Sequence, residues 1–127
     1  MMARRYLESV GLMEDRLNIL LRQQSVLAAL AQAEGEDRKL RQAQSQALGE
    51  GIQSAWQKLH RQRRLVNHSI ERLPREEERQ LLSLRYLSRL SYPDIAEVLG
   101  YSQRQVFRIH HRALMHMEAL AAGMEGE

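Results

Sequence analysis

Two long proline-free segments with apolar residues at helical spacing constrain this chain most strongly. In the first, from about Ala3 to Ala33, the apolar positions advance by alternating steps of three and four residues, with Gln24 as a polar interruption. Such a seam is typical of a long α-helix that packs against other helices. Its members are Tyr6, Val10, Met13, Leu17, Leu20, Leu27 and Ala31.

The second apolar seam lies between Gly51 and about Leu73 and repeats every seven residues, at Ile52, Leu59, Val66 and Leu73. Between the seams, the polar, glutamine-rich residues 34–51 predict a connector that is part helix and part loop. We therefore expect residues 1–73 to form a long, coiled-coil-like N-terminal helical hairpin. Because a two-helix hairpin has a thin core, we also expect a homodimer, or a docked partner, to cover the remaining apolar surface.

Composition excludes several classes of protein. The 127 residues include only 7 Gly, 2 Pro and 5% aromatic residues, too few for the many turns of a β-sandwich or barrel. There is no cysteine, which excludes disulfides, thiolate nucleophiles and cysteine-bound zinc. No apolar run reaches the roughly 20 residues that span a bilayer, and the first residues do not resemble a secretory signal. The net charge of +3 does not by itself indicate a nucleic-acid partner.

Five histidines raise the question of a metal site. None of them forms an i, i+4 pair, which is the usual spacing of zinc ligands on a helix, and no HExxH motif occurs. The adjacent His110 and His111 point about 100° apart on a helix. The glycines form no phosphate-binding loop. We therefore expect no metal, no cofactor and no enzymatic activity.

The most specific pattern lies in the last third of the chain. Ser91 is a good helix N-cap, with Asp94 three residues later in the capping-box position, and Ser102 and Gln105 repeat this pattern. Gly100 follows the first of these two helices, where a left-handed residue ends a helix. Caps, turn and apolar spacing together predict a helix-turn-helix, whose second helix can lie in the DNA major groove. The residues expected in its core are Ile95, Leu99, Val106 and Ile109.

Leu73-Pro74 marks the predicted start of this C-terminal domain. The residue before a proline avoids the helical conformation, while proline itself suits the first turn of a new helix. We place a further helix from about Arg75 to Leu87, the helix-turn-helix domain over residues 74–122, and a tail over residues 123–127.

The outward face of the last helix has side chains suited to DNA. Arginine can contact O6 and N7 of guanine, glutamine can contact N6 and N7 of adenine, and Phe107 can touch a thymine methyl group. Arg112 is placed for a phosphate, and Ser102 could cap its helix and also donate to one. A plain solvated surface is the alternative, and Phe107 could instead pack against the third helix. The candidate DNA-binding residues are Ser102, Gln103, Arg104, Gln105, Phe107, Arg108, His111 and Arg112.

The segment from Leu73 to Leu120 resembles region four of bacterial sigma factors. The resemblance is carried by Arg85-Tyr86-Leu87, Leu90-Ser91-Tyr92, Ile95-Ala96, Leu99-Gly100, Ser102, Val106 and Arg112-Ala113-Leu114. It implies an all-α domain that reads the promoter −35 element and touches RNA polymerase. The aromatic, basic sigma region that melts promoter DNA has no counterpart in this sequence.

The layout of the whole chain is similar to small sigma-region-four-like regulators of phages and prophages, the ArpU-like and RinA-like late-gene activators. This resemblance implies a sequence-specific regulator that binds double-stranded DNA in the bacterial cytoplasm, associated with the nucleoid. RNA polymerase is a further candidate partner, and no membrane is expected to be involved. Two alternatives remain: a DNA-packaging protein like a small terminase subunit, and a polymerase-binding adaptor that does not bind DNA.

Overall fold

The protein is all-helical, as its computed structural model shows for residues 2–31 and 37–123, and no strand occurs in these ranges. This confirms the predicted all-α class. None of the helices in the described part is long and apolar enough to cross a membrane. The elements are α1 (Met2–Ala31), α2 (Arg38–Glu71), α3 (Glu76–Leu82), a π-helical turn (Ser83–Leu87), α4 (Tyr92–Leu99) and α5 (Gln103–Ala121).

The connector predicted over residues 34–51 is largely helix. The prediction was part helix and part loop. α2 begins at Arg38 and continues through Gly49 and Gly51, so the connector is helix from Arg38 onward. The physical reason is that Gln, Ala, Arg and Lys are good helix formers, and each glycine costs only about 1 kcal/mol relative to alanine. A helix of 34 residues can absorb that cost. Residues 34–36 of the connector, and residues 124–127 of the tail, lie outside the described residues.

The chain forms two compact units. Unit 1 comprises Met1–Gly11 and Gln62–Glu127, and unit 2 comprises Leu12–Arg61. A helix break is present near Leu73, but unit 1 also includes the first turns of α1 and the last turns of α2. These turns join the C-terminal helices because they contribute completely buried side chains to the same unit.

In unit 1, the first turns of α1 run antiparallel to the last turns of α2. The Gln62 amide donates to the Ser9 hydroxyl at 2.9 Å, and the hydroxyls of Tyr6 and Ser69 lie 3.4 Å apart. Residue numbers fall on α1 as they rise on α2, which is the mark of an antiparallel pair. The start of α1 is also tied to α5, since the backbone N–H of Ala3 donates to a carboxylate oxygen of Glu118 at 2.6 Å.

The core of unit 1 is built around α5, which packs against both α3 and α4. Because every element of the unit contributes to this core, the burial of α5 depends on all of them. The largest fully buried apolar side chains are Leu7, Val10, Val66, Ile70, Leu73, Leu81, Leu82, Ile95, Val106 and Leu114.

Unit 2 is an antiparallel hairpin of the two long helices. Arg41 donates to the Leu30 carbonyl at 3.2 Å, and Gln24 lies beside Gly49, where its side-chain nitrogen would be 3.6 Å from an added Cβ. Here too, residue numbers fall along α1 as they rise along α2, so the two helices run antiparallel. Within this unit the structure therefore agrees with the predicted hairpin.

A three-residue turn joins α4 to α5 in the predicted helix-turn-helix. Gly100 adopts the left-handed conformation, with φ of 73° and ψ of 30°. The next N–H, that of Tyr101, donates to the Ala96 carbonyl at 2.9 Å and closes α4. Ile95 and Val106, on either side of the turn, are fully buried, and the small Ala96 is also buried. Leu99 is only partly buried.

Gly100→Ala should destabilise unit 1 by about 1 kcal/mol, because an L-residue with a Cβ disfavours the left-handed region. Gly51→Ala is a matched control with the opposite expectation. Gly51 lies on an exposed helical stretch where an added Cβ meets nothing within 4 Å, so alanine should stabilise α2 by up to about 1 kcal/mol. Urea unfolding followed by circular dichroism measures both, and a neutral Gly100→Ala would contradict the turn geometry.

Candidate nucleic-acid interface

The N-terminal half of α5 exposes most of the side chains predicted to contact DNA. Val106, Ile109 and His110 are buried, so one face of the helix belongs to the core. The other face is free, and even the large aromatic ring of Phe107 is 50% exposed. The exposed candidates are Ser102, Gln103, Arg104, Gln105, Phe107, Arg108 and His111.

A complete capping box begins α5 and engages two of the candidates. The Gln105 N–H donates to the Ser102 hydroxyl at 3.2 Å, and the Ser102 N–H donates to the Gln105 side-chain oxygen at 3.0 Å. The side chain of Gln105 is thereby used to start the helix. The contact of Gln105 with DNA stays a prediction.

Arg112, which was predicted to contact a phosphate, makes ionic contacts with α3. Its guanidinium forms an ion pair with Glu77 of α3, and its Nε lies 3.5 Å from a carboxylate oxygen of Glu78. Two carboxylates thus compete with any phosphate for this arginine. We assign Arg112 to the packing of α5 against α3.

Glu78 is a buried carboxylate at the centre of an ionic cluster that was not predicted from the sequence. The side chain is completely buried, and its two oxygens face Nδ1 of His116, at 2.8 Å for Oε2. A signal was present, because Glu78 precedes Leu81 and Leu82 by three and four residues and so shares their buried face.

Two further side chains extend the exposed face of α5. The Phe107 ring lies 4.9 Å from the Tyr92 ring of α4, and the Arg85 guanidinium lies over Tyr92 at 4.1 Å from its ring centroid. Arg85 also donates to the Leu90 carbonyl at 2.9 Å. Phe107 is therefore neither fully solvated nor buried against α3: it is half exposed and braced by Tyr92. No periodic pattern in the sequence marks Tyr92 or Arg85. Tyr92 precedes the buried residues of α4, and Arg85 lies in the π-helical turn.

A buried hydrogen bond of 2.7 Å joins Tyr86 of the π-helical turn to Nε2 of His110 on α5. Burial, with the positive charges of Arg4 and Arg85, lowers the pKa of His110 from 6.5 to about 4. Burial, and to a smaller extent the electrostatic effect of Tyr92, raises the pKa of Tyr86 to about 12. At neutral pH the Tyr86 hydroxyl therefore donates to the unprotonated Nε2 of His110. This hydrogen bond holds α5 in one rotation relative to the π-helical turn.

The comparison with family models supports the helix-turn-helix interpretation. Residues 63–117 match the family Sigma-70, region 4, a segment that includes the end of α2, α3, the π-helical turn, α4 and most of α5. The match covers less than half of the chain. No curated protein and no solved structure matches significantly. The segment is thus similar to sigma region four, a DNA-binding domain and not a catalytic one. In residues 2–31 and 37–123, no three His, Asp or Glu side chains cluster as metal ligands would.

Acidification should expose the contribution of His110 to stability. Because its pKa is lower in the folded than in the unfolded state, stability is fully present above about pH 6.5 and is lost as the pH falls towards about 4. The loss from this group should be at most about 3 kcal/mol. His110→Gln should be less stable at pH 7 and should show a flatter dependence over this window. Parallel pH profiles of unfolding free energy for the two proteins would contradict the assignment.

Glu78→Gln should cost about 2 kcal/mol of stability, since it leaves Arg112 and His116 without their buried carboxylate. We expect less than a fully buried pair would lose, because both partners remain partly exposed. Glu76→Gln, at an exposed position of the same turn, is the control and should change stability by less than about 0.5 kcal/mol. Equal effects in thermal or urea unfolding would show that the cluster contributes nothing specific.

Proposed function

We propose that this protein is a sequence-specific transcription regulator that binds double-stranded DNA by placing α5 in the major groove. We further propose a homodimer in the bacterial cytoplasm, associated with the nucleoid, and a role as a late-gene activator of a phage or prophage. The match of residues 63–117 to sigma region four supports the DNA-binding part of this proposal. It also supports RNA polymerase as a second partner.

The observation that carries the proposal is the exposed stripe on α5. Arg104, Phe107, Arg108 and His111 are spaced at i, i+3, i+4 and i+7, so they lie along one side of the helix, and all four are exposed. The opposite side is held in the core by Val106. A helix with one side anchored and a cationic side free has the form needed to enter a major groove.

The spacing of the two arginines also fits base recognition. Arg104 and Arg108 are one helical turn apart, or about 6 Å along the axis, which corresponds to roughly two base-pair steps of 3.4 Å. Each can contact O6 and N7 of a guanine. Phe107 lies between them and is braced by Tyr92, so its ring is placed for a thymine methyl group.

We propose Arg85 as a contact to the DNA backbone. It stacks on Tyr92, beside Phe107, and lies on a different element from the base-reading helix. Contacts of this kind orient a domain on the duplex without reading sequence. The proposed interface therefore combines base contacts from α5 with a phosphate contact from the π-helical turn.

The decisive experiment selects bound duplexes from a random pool and then titrates the selected duplex by fluorescence anisotropy. Arg104→Ala and Arg108→Ala should each weaken binding to the selected duplex by about tenfold or more, since one bidentate base contact is worth about 1–3 kcal/mol. Arg38→Ala, which removes an exposed arginine from unit 2, is the matched control and should have little effect. Unchanged affinity in both α5 variants would rule out α5 as the reading element.

Two further measurements on the wild-type protein distinguish the two alternative functions from the proposed one. A polymerase-binding adaptor would show no salt-dependent affinity for any duplex, whereas a DNA-binding protein loses affinity steeply as salt rises. A DNA-packaging protein would assemble into a ring of many copies, which light scattering would detect. No observation on the described residues favours either alternative.

A further inference from the structure

We propose that the outer face of α1 in unit 2 is a self-association surface, on which the α1 helices of two chains pack antiparallel about Ile19. This inference deepens the proposed homodimer by naming its surface, and it does not depend on DNA binding. It starts from an apolar stripe on α1. Leu12, Ile19 and Val26 recur every seven residues and are 68%, 49% and 60% exposed, and Leu30 continues the stripe one turn further on.

This stripe lies on the side of α1 opposite its buried seam. At 100° per residue, Leu12, Ile19 and Val26 all lie between about 140° and 180° from Leu17 around the helix. Leu17 is buried, so it marks the side of α1 that belongs to the core of the hairpin. The single partner helix α2 therefore cannot cover the stripe as well.

Unit 2 has too little core for two long helices by themselves. Among its described residues, only Leu17 and Leu59 are buried apolar side chains. Beside Ile19 and Val26 the surface forms an apolar groove, whose walls include Leu27 of α1 and Leu48 of α2. A large exposed apolar surface on a helix with heptad spacing is typical of a site that another helix covers.

The stripe is complementary to a second copy of itself. With Ile19 at a two-fold axis, Leu12 of one chain faces Val26 of the other, and the two Ile19 side chains face each other. Such an isologous contact closes on itself and gives a dimer. A partner helix must have apolar residues at the same seven-residue spacing, and the α1 helix of a second copy has them.

The charges beside the stripe favour the antiparallel direction. Asp15 and Arg22 lie seven residues apart on the same flank of the stripe and are exposed. In the antiparallel arrangement each Asp15 faces Arg22 of the second copy, so two opposite-charge pairs form. A parallel arrangement in register would place like charges together, which is unfavourable. Asp15 also has an interaction within its own chain, and a carboxylate can accept several hydrogen bonds at once.

Sedimentation velocity on the full chain tests the surface. The wild type should be a dimer, and Ile19→Glu and Val26→Glu should shift it to monomer by burying charge at the contact. Val98→Glu is the matched control, because Val98 on α4 is 61% exposed, close to the 60% of Val26. It should remain a dimer. Circular dichroism should show unchanged helix content in all three variants, and a monomeric wild type would overturn the proposal.

Single-cysteine variants test the direction, because the chain has no cysteine of its own. Under mild oxidation, Ile19→Cys should form a disulfide-linked dimer, since the two copies of this position meet at the axis. Leu12→Cys should not, because its two copies would lie about 21 Å apart, too far for a disulfide. Cross-linking of both variants would indicate a parallel pair, and cross-linking of neither would place the contact elsewhere.

A charge swap adds a readout that a merely structural role would not produce. Asp15→Arg should weaken the dimer at least severalfold, and Asp15→Arg combined with Arg22→Asp should restore it. Failure of rescue would reject the antiparallel pairing. These outcomes are separate from DNA binding, because Arg104 and Arg108 can still be required for duplex binding when the chain is a monomer.

Discussion

The packing of α5 against α3 and α4 decides which of its side chains are free. Val106 is buried in the core, as is Ile95 on the other side of the turn at Gly100, and Leu114 continues the buried side towards the C-terminus of the helix. A helix anchored along one side has little freedom to rotate, so the positions between the buried ones must face outward. The exposed stripe from Arg104 to His111 is therefore a consequence of how the opposite face is buried.

Two buried polar contacts make this arrangement more specific than apolar packing alone. The hydrogen bond between Tyr86 and His110 and the ionic cluster around Glu78 join α5 to the elements that precede it. A polar group in a core must meet its partner, because an unpaired one costs more than a shifted leucine. Rotation of α5 would break both contacts. We infer that they hold α5 in one orientation, and that they thereby fix the positions of the exposed side chains on its opposite face.

Unit 2 follows a different physical principle from unit 1. Unit 1 has several helices that run in different directions and a core of many buried side chains. Unit 2 has two antiparallel helices with few buried side chains. The apolar surface that unit 2 exposes is arranged in a regular seven-residue repeat. A self-associating α1 would bring two copies of the helix-turn-helix into one assembly, as binding to two half-sites of DNA requires.

Local signals in the sequence were sufficient to determine the helical class, the caps at Ser91 and Ser102, the turn at Gly100 and the exposed positions on α5. These depend on residues close together in the chain, whose spacing and conformational preferences are readable without the fold. The start of α2 at Arg38 was missed because glycine and polar residues weaken a helix without ending it. Only the tertiary structure decided that Glu78 pairs with His116, that Arg112 pairs with Glu77, and that Arg85 stacks on Tyr92 beside Phe107. Each of these depends on side chains that are distant in sequence or on different elements, and their contacts are set by packing and not by local spacing.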